Sequence, residues 1–208
     1  TFYTNPMSRG QIARWALHEA RADYEQVLLT YGGTMIAPDY LAINPMGKVP
    51  AVVHHSDARD RVVTEAAAIC HYLAEAIAPD LLPRDEEKAD YFRYLFFAAG
   101  PIEQAITARS MGWDTGEDMQ KQGMVGFGSY DRAMDGLEAL LTGRDFVCGD
   151  RFTMADVYVG AQVGWGLAFG TMPKRAVFEA YAARVQDRAA YKAASAIDQK
   201  LIAEANNG

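Results

Sequence analysis

Near residue 80 the apolar pattern of this 208-residue chain changes period, and that change bounds the folds open to it. Before it, short β-like runs alternate with helical ones. TFYT (1–4) and DYEQVLL (23–29) read as strands, and between them SRGQIARWALHEAR (8–21) carries Ile12, Ala13, Ala16, Leu17 and Ala20 at helical spacing. PDYLAIN (38–44) predicts a short helix ended by Pro45. VPAVVHH (49–55) and DRVVT (60–64), separated by the polar turn SDAR, predict a hairpin. EAAAICHYLAEAIA (65–78) is rich in good helix formers. The order β-α-β-α-β-β-α is that of an α/β layer.

After PDLLPRDEE (79–87) every periodic segment is helical. An apolar stripe through Tyr91, Tyr94, Leu95, Ala98, Ile102 and Ile106 predicts one long helix over 86–111. A second long helix is predicted over 117–142, a third from Thr153 to about Leu167, and two more within 174–205. The expected organisation is an α/β domain at 1–79, a linker at 80–85 around Leu81-Leu82-Pro83, and an all-helical domain at 86–208.

Composition narrows the function. Half the residues are apolar, but no apolar run approaches the length of a bilayer span, so no membrane partner is expected. No basic stretch followed by a cleavable apolar one is seen, so no secretion signal is expected. The formal net charge is −7 and no Lys/Arg cluster stands out, which argues against nucleic acid. An anionic ligand would need a local positive site. Cys70 and Cys148 form no CxxC pair and are too few for a disulfide scaffold, so a cytoplasmic location is expected. His18, His54, His55 and His71 show no metal-ligand spacing, so no metal is expected. GFGSYDRAM (126–134) is no phosphate loop, because no strand precedes it and no GK[ST] follows.

NPMGKVP (44–50) places a proline at the mouth of an apolar run. Proline donates no backbone hydrogen bond. Pro50 either opens an edge strand or forms a cis bond that aims a free backbone amide at a ligand. The motif resembles the N-P-x-G-x-V-P of the glutathione transferases, whose last residue is a cis-proline. TEAAAICHYL (64–73) resembles that family's E-S-x-A-I-x-x-Y-L, and FTMADVYVGAQV (152–163) resembles the buried capping motif of its helical domain. The resemblance spans essentially the whole chain, and the three motifs that carry it occur in order.

The resemblance implies a thioredoxin-like N-terminal domain and an all-α C-terminal domain. It implies that glutathione binds as co-substrate, its cysteinyl backbone paired with Val49 beside cis-Pro50. Lys48 either meets the glycyl carboxylate or is a solvated turn lysine. Glu65 takes the γ-glutamyl ammonium, and the helix N-terminus beside it offers amides to the γ-glutamyl carboxylate. The family's hydroxyl residue after this glutamate is here Ala66. Losing that contact costs on the order of 1 kcal/mol, so weaker glutathione binding is expected.

Thiolate formation near neutral pH needs a donor to sulfur. Ser8 lies close to the catalytic serine of the serine-type members, but Ser8-Arg9-Gly10-Gln11 also fits a capping box that would occupy its hydroxyl. Tyr3 is the rival: it stands eleven residues before Arg14, which resembles the spacing of the catalytic tyrosine from a comparable arginine in the tyrosine-type members, and a packed strand aromatic is its alternative. Asn5 is third, either a donor to sulfur or a turn residue before Pro6. Arg9 either favours the thiolate or is solvated. No cysteine stands at Met7-Ser8-Arg9, which argues against a cysteine-type enzyme.

Arg109, Met111 and Trp113 are the expected contacts of a small apolar electrophile, with Trp165, Phe169 and Met172 as a second wall. Thr153 and Asp156 are read as a buried cap, Arg14 as a packed or paired group, and Cys70 as inert packing. The expected function is conjugation of glutathione to electrophiles by a homodimer. Glutathione-dependent peroxide reduction or isomerisation on the same site is an alternative, and so is a non-catalytic protein of this fold that binds partners.

Overall fold

A computed structural model describes residues 1–207. By contact the chain divides into two units, one of residues 1–82 with 188–207 and one of residues 83–187.

The first unit holds β1 (Phe2–Thr4), α1 (Gly10–Glu19), β2 (Gln26–Leu28), α2 (Pro38–Leu41), β3 (Ala51–His54), β4 (Arg61–Thr64) and α3 (Ala66–Ala76). The sheet order is β2-β1-β3-β4, with β1 parallel to β2 and antiparallel to β3, and β3 antiparallel to β4. This is the α/β unit that the alternation predicts. Residues alternate across the strand, so Phe2 meets Tyr24 and Arg14 of the α1 side, while Tyr3 turns to the other face and packs on Tyr40. Gly10 begins α1 hard against β1. A Cβ there would come within 2.0 Å of the Thr4 Oγ1 atom, so only glycine allows the approach.

The last helix, α10 (Ala189–Asn206), also belongs to this unit, whereas the sequence places it with the helical half. Its inner face carries a charge that the periodicity hides. Buried Asp198 accepts from the Arg14 Nε atom of α1 at 3.0 Å. Arg14 also donates to the Tyr24 hydroxyl at 3.0 Å. Arg188, just before α10, holds Glu19 through two bonds of 2.6 and 2.7 Å. Trp15 and Tyr191 pack edge to face.

The second unit contains α4 (Lys88–Phe97), α5 (Glu103–Ser110), α6 (Met119–Met124), α7 (Tyr130–Leu141), α8 (Met154–Ala168) and α9 (Ala176–Gln186). The long helix expected over 86–111 is interrupted. Residues Ala98–Ile102 form a π-turn around Pro101, which has no amide to donate, and the Glu103 amide reaches back to the Ala98 carbonyl. The helix expected over 117–142 is two helices. Gly126 and Gly128 fall between them, Gly128 has φ +67°, and Ser129 caps α7 by accepting from the Arg132 amide.

α8 is buried on almost every side, as its apolar sequence predicts. Its first turn is closed reciprocally by Thr153 and Asp156, with the Thr153 amide donating to the Asp156 Oδ2 atom at 2.8 Å. Asp156 does more than cap. Its Oδ1 atom accepts from the Val147 amide at 2.7 Å and from the Tyr181 hydroxyl at 2.9 Å, joining a loop and α9 to the same carboxylate. Cys70 is fully buried, and burial pushes its thiol up, away from the thiolate.

Replacing Asp156 by Ala leaves two buried donors unpaired and removes a cap. We expect a loss of about 3 kcal/mol or more in chemical denaturation. Burial pushes the Asp156 carboxyl up from 3.8 to about 6. The folded state therefore binds this proton more tightly, and the group's contribution to stability falls as pH rises from about 4 to 6. The stability gap between wild type and Asp156→Asn should be about 1 kcal/mol wider at pH 5 than at pH 7.

Candidate functional site

Strand register brings three separated stretches to one end of the sheet. Tyr3 pairs with Ala51, so the chain beyond β1, at Thr4 and Asn5, runs beside Pro50 and Val49. Ala51 pairs with Thr64, so Pro50 and Val49 also run beside Glu65 and Ala66. One residue of slip in either ladder would separate these groups.

The Val49–Pro50 bond is cis, the second of the two geometries that NPMGKVP leaves open. Neither the amide nor the carbonyl of Val49 has a hydrogen-bond partner among the described residues. Val49 thus presents one free donor and one free acceptor just before β3, which is what another short peptide needs for strand-like pairing. Lys48 is exposed, and its ammonium group has no described partner.

Across the ladder, Glu65 stands immediately before α3 with φ +65° and ψ 117°. A residue with a Cβ is uncomfortable there, at a cost of about 1–3 kcal/mol. The benefit is positional. The bend starts α3 beside Pro50, and the helix has no side-chain cap. Its first hydrogen bond runs from the Ile69 amide to the Glu65 carbonyl, so the amides of Ala66, Ala67 and Ala68 have no acceptor among the described residues. Unpaired amides at a positive helix end hold anions. The Glu65 carboxylate is exposed beside them and suits a cation. Together they match a group carrying an ammonium and a carboxylate a few ångströms apart.

At the start of α1, Ser8 is half-buried and its hydroxyl is bonded twice. It donates to the Asn5 carbonyl at 2.6 Å and accepts from the Gly10 amide at 2.9 Å. The S-x-x-Q box does not close as the sequence predicts. The Gln11 side chain donates instead to the Pro6 carbonyl at 2.5 Å, and Arg9 occupies the cap position without capping by its side chain. Arg9 itself is exposed. Asn5 is buried, with its amide nitrogen on the Leu29 carbonyl at 2.8 Å and its oxygen on the Met7 amide at 2.9 Å. The Tyr3 hydroxyl has no described partner, and its ring packs on Tyr40 against the buried cluster of Leu29, Met35, Tyr40 and Ala51.

Tyr40 and Asn44, two buried polar side chains that the sequence reading did not single out, lie under this site. Both donate to the Lys48 carbonyl, at 2.5 and 2.8 Å. Asn44 heads NPMGKVP, a polar side chain at the first position of the motif. Tyr40 carried no local signal.

In the second unit the three expected electrophile contacts separate. Arg109 lies 4.1 Å above the Tyr130 ring and lines a cavity of about 400 Å³ with Ser110, Thr171, Met172 and Arg175. Met111 and Trp113 are 56% and 69% exposed and do not line it. Of the second wall, Met172 is buried while Phe169 is 75% exposed. Among the described residues no group of three or more His, Cys, Asp or Glu side chains is placed to hold a metal ion, and no helix is long and apolar enough to cross a membrane.

Comparison with known proteins matches residues 1–75 to the N-terminal domain of glutathione S-transferase and residues 57–165 to its C-terminal domain. The chain is 31% identical over 150 residues to glutathione S-transferase 1 of Schizosaccharomyces pombe, a match covering 68% of this chain and 64% of that protein. It is similar in structure to a glutathione transferase from Methylococcus capsulatus, with 27% identity, a TM-score of 0.74, and coverage of 95% of this chain and 98% of that one. A sphingomonad glutathione S-transferase complexed with glutathione gives 26% identity, a TM-score of 0.73, and the same coverage.

The backbone at Glu65 yields a prediction that needs no ligand. Glu65→Gly relieves the positive φ and Glu65→Ala does not. Urea denaturation should show the glycine variant more stable than the alanine variant by about 1 kcal/mol. Equal stabilities would mean that the backbone there is not strained.

Proposed function

Because the chain belongs to the glutathione S-transferase family, we propose that it binds glutathione at this end of the sheet and transfers it, as the thiolate, to a small apolar electrophile. The observation that carries this reading is the free Val49 peptide edge beside Pro50, set by register against the uncapped start of α3. Glutathione is an anionic tripeptide. Its cysteinyl backbone pairs with the Val49 amide and carbonyl. Its γ-glutamyl carboxylate takes the Ala66 and Ala67 amides, and its ammonium takes the Glu65 carboxylate. Lys48 is placed near enough in sequence to meet the glycyl carboxylate. Ala66 supplies an amide but no hydroxyl, so affinity falls below that of a site with serine or threonine there.

The chemistry is then the making of a thiolate. Moving a thiol from about 8.5 to about 6.5 takes roughly 2.7 kcal/mol of preferential interaction with the anion. Ser8 leads the candidate donors, followed by Tyr3 and Asn5. To donate to sulfur the Ser8 hydroxyl must turn from the Asn5 carbonyl, while the Gly10 amide stays on its oxygen. Accepting that amide bond makes the hydroxyl a better donor. The Asn5 amide nitrogen is committed to Leu29, and Tyr3 lies on the opposite face of β1 from Thr4 and Gly10. Arg9 adds positive charge nearby. The thiolate then attacks the electrophile held beside it, by substitution or addition, with proximity supplying much of the rate. Arg109, Met111 and Trp113 remain the proposed contacts of the electrophile.

We also propose a homodimer. α4 exposes Phe92 and Phe96, spaced i, i+4 on one face, with Phe96 at 69% exposure.

Ultraviolet difference titration of bound glutathione tests the reading. In wild type the bound thiol should titrate about two units below its free value, and Ser8→Ala should remove most of that shift while Tyr3→Phe leaves it. Reversal by Tyr3→Phe alone would transfer the role to Tyr3. Absence of glutathione binding, or binding without a shift, would refute the transferase reading.

A further inference from the structure

Resting on the glutathione reading above, we propose that Tyr40 and Asn44 are positioning residues that tune glutathione binding through a single peptide group, Lys48–Val49. The Lys48 carbonyl and the Val49 amide are the two ends of that peptide. Tyr40 and Asn44 hold the carbonyl end, and the Val49 amide end is the free donor of the site.

Three observations carry this. First, the two donors converge. The Tyr40 hydroxyl and the Asn44 amide nitrogen donate to the same oxygen at 2.5 and 2.8 Å. A carbonyl has two lone pairs, and here both are taken. Second, the donors are fixed. Tyr40 and Asn44 are 3% and 5% exposed. Tyr40 belongs to a buried cluster with Leu29, Met35 and Ala51, its ring packs on Tyr3, and the Asn44 oxygen is anchored by the Met46 amide at 3.2 Å. Third, nothing else in the described residues holds the amide end.

The physical effect is twofold. Two bonds fix the plane of the peptide, so the Val49 N–H direction is set before a ligand arrives and less freedom is lost on binding. Two donors on the oxygen also draw charge through the amide, which polarises the N–H and strengthens the bond it gives. Both effects favour any acceptor at Val49 and leave the reaction at sulfur untouched. The signature is therefore a change in glutathione affinity with little change in turnover at saturating glutathione.

Tyr40→Phe removes one donor and keeps the ring, and Asn44→Ala removes the other. Calorimetry should show Tyr40→Phe binding glutathione about 3–10-fold more weakly than wild type, with turnover at saturating glutathione within about twofold. In the free protein the nitrogen resonance of the Val49 amide should move upfield in Tyr40→Phe, a change that loosened packing alone would not confine to this peptide. Asn44→Ala should move the same resonance in the same direction. Wild-type affinity in Tyr40→Phe, or an unmoved Val49 resonance in a folded variant, overturns the proposal. If Tyr40→Phe does not fold, Asn44→Ala decides by the same two readouts, and equal loss of affinity and turnover counts against it. Wild type that binds no glutathione would instead refute the transferase reading, so the two failures are distinguishable.

Discussion

Everything at the candidate site depends on the register of β3 between its two neighbours. Val49 and Pro50 lie just before β3, Asn5 just after β1, and Glu65 just after β4. Only the pairings Tyr3 with Ala51 and Ala51 with Thr64 place the three together. Register is held by burial. Ala51, Val52 and Val53 are all buried, so β3 is packed on both faces, and a slip by one residue would turn each of these side chains into the packing of the opposite face. The site is thus a by-product of how a short hydrophobic strand finds its partners. The strain at Glu65 and the unpaired amides of α3 are local costs that the packed strand supports.

Buried charge shapes the rest of each unit. Asp156 in the second unit and the Arg14–Asp198 pair in the first are both removed from water and both tie together segments far apart in sequence. Their roles differ. Asp156 satisfies backbone amides and a hydroxyl that would otherwise be orphaned. Arg14 keeps one nitrogen, and Asp198 one oxygen, without a partner among the described residues. Such a pair contributes more to where α10 docks than to how tightly it does so.

Much of this was legible in the sequence because it rests on local rules. Period-2 and period-3.6 patterns located the strands and most of the helices. NPMGKVP signalled the turn before β3, and the T-x-x-D start of α8 signalled its cap. What stayed hidden depends on distant partners or on glycine and proline within helical patterns. The break at Gly126–Gly128 and the π-turn at Pro101 lie inside stripes that otherwise read as continuous. Asp198 looks like a solvated residue of an amphipathic helix until Arg14, 184 residues away, is found beside it. Ser8 illustrates a further limit. Of its two readings the capping one has the hydroxyl serve the helix start; the hydroxyl accepts from the Gly10 amide, but the box stays open because the Gln11 side chain reaches the Pro6 carbonyl. Tyr40 has no sequence signature at all, since its importance lies in sharing an acceptor with Asn44.

In the proposed site, backbone amides at the sheet end hold glutathione together with the side chains of Glu65 and Lys48. Titration of ¹⁵N-labelled protein with unlabelled glutathione tests it most directly. The amides of Val49, Ala66 and Ala67 should shift together, saturate at one ligand per chain, and lead all other residues in magnitude. Saturable binding that leaves these three amides unmoved would contradict it.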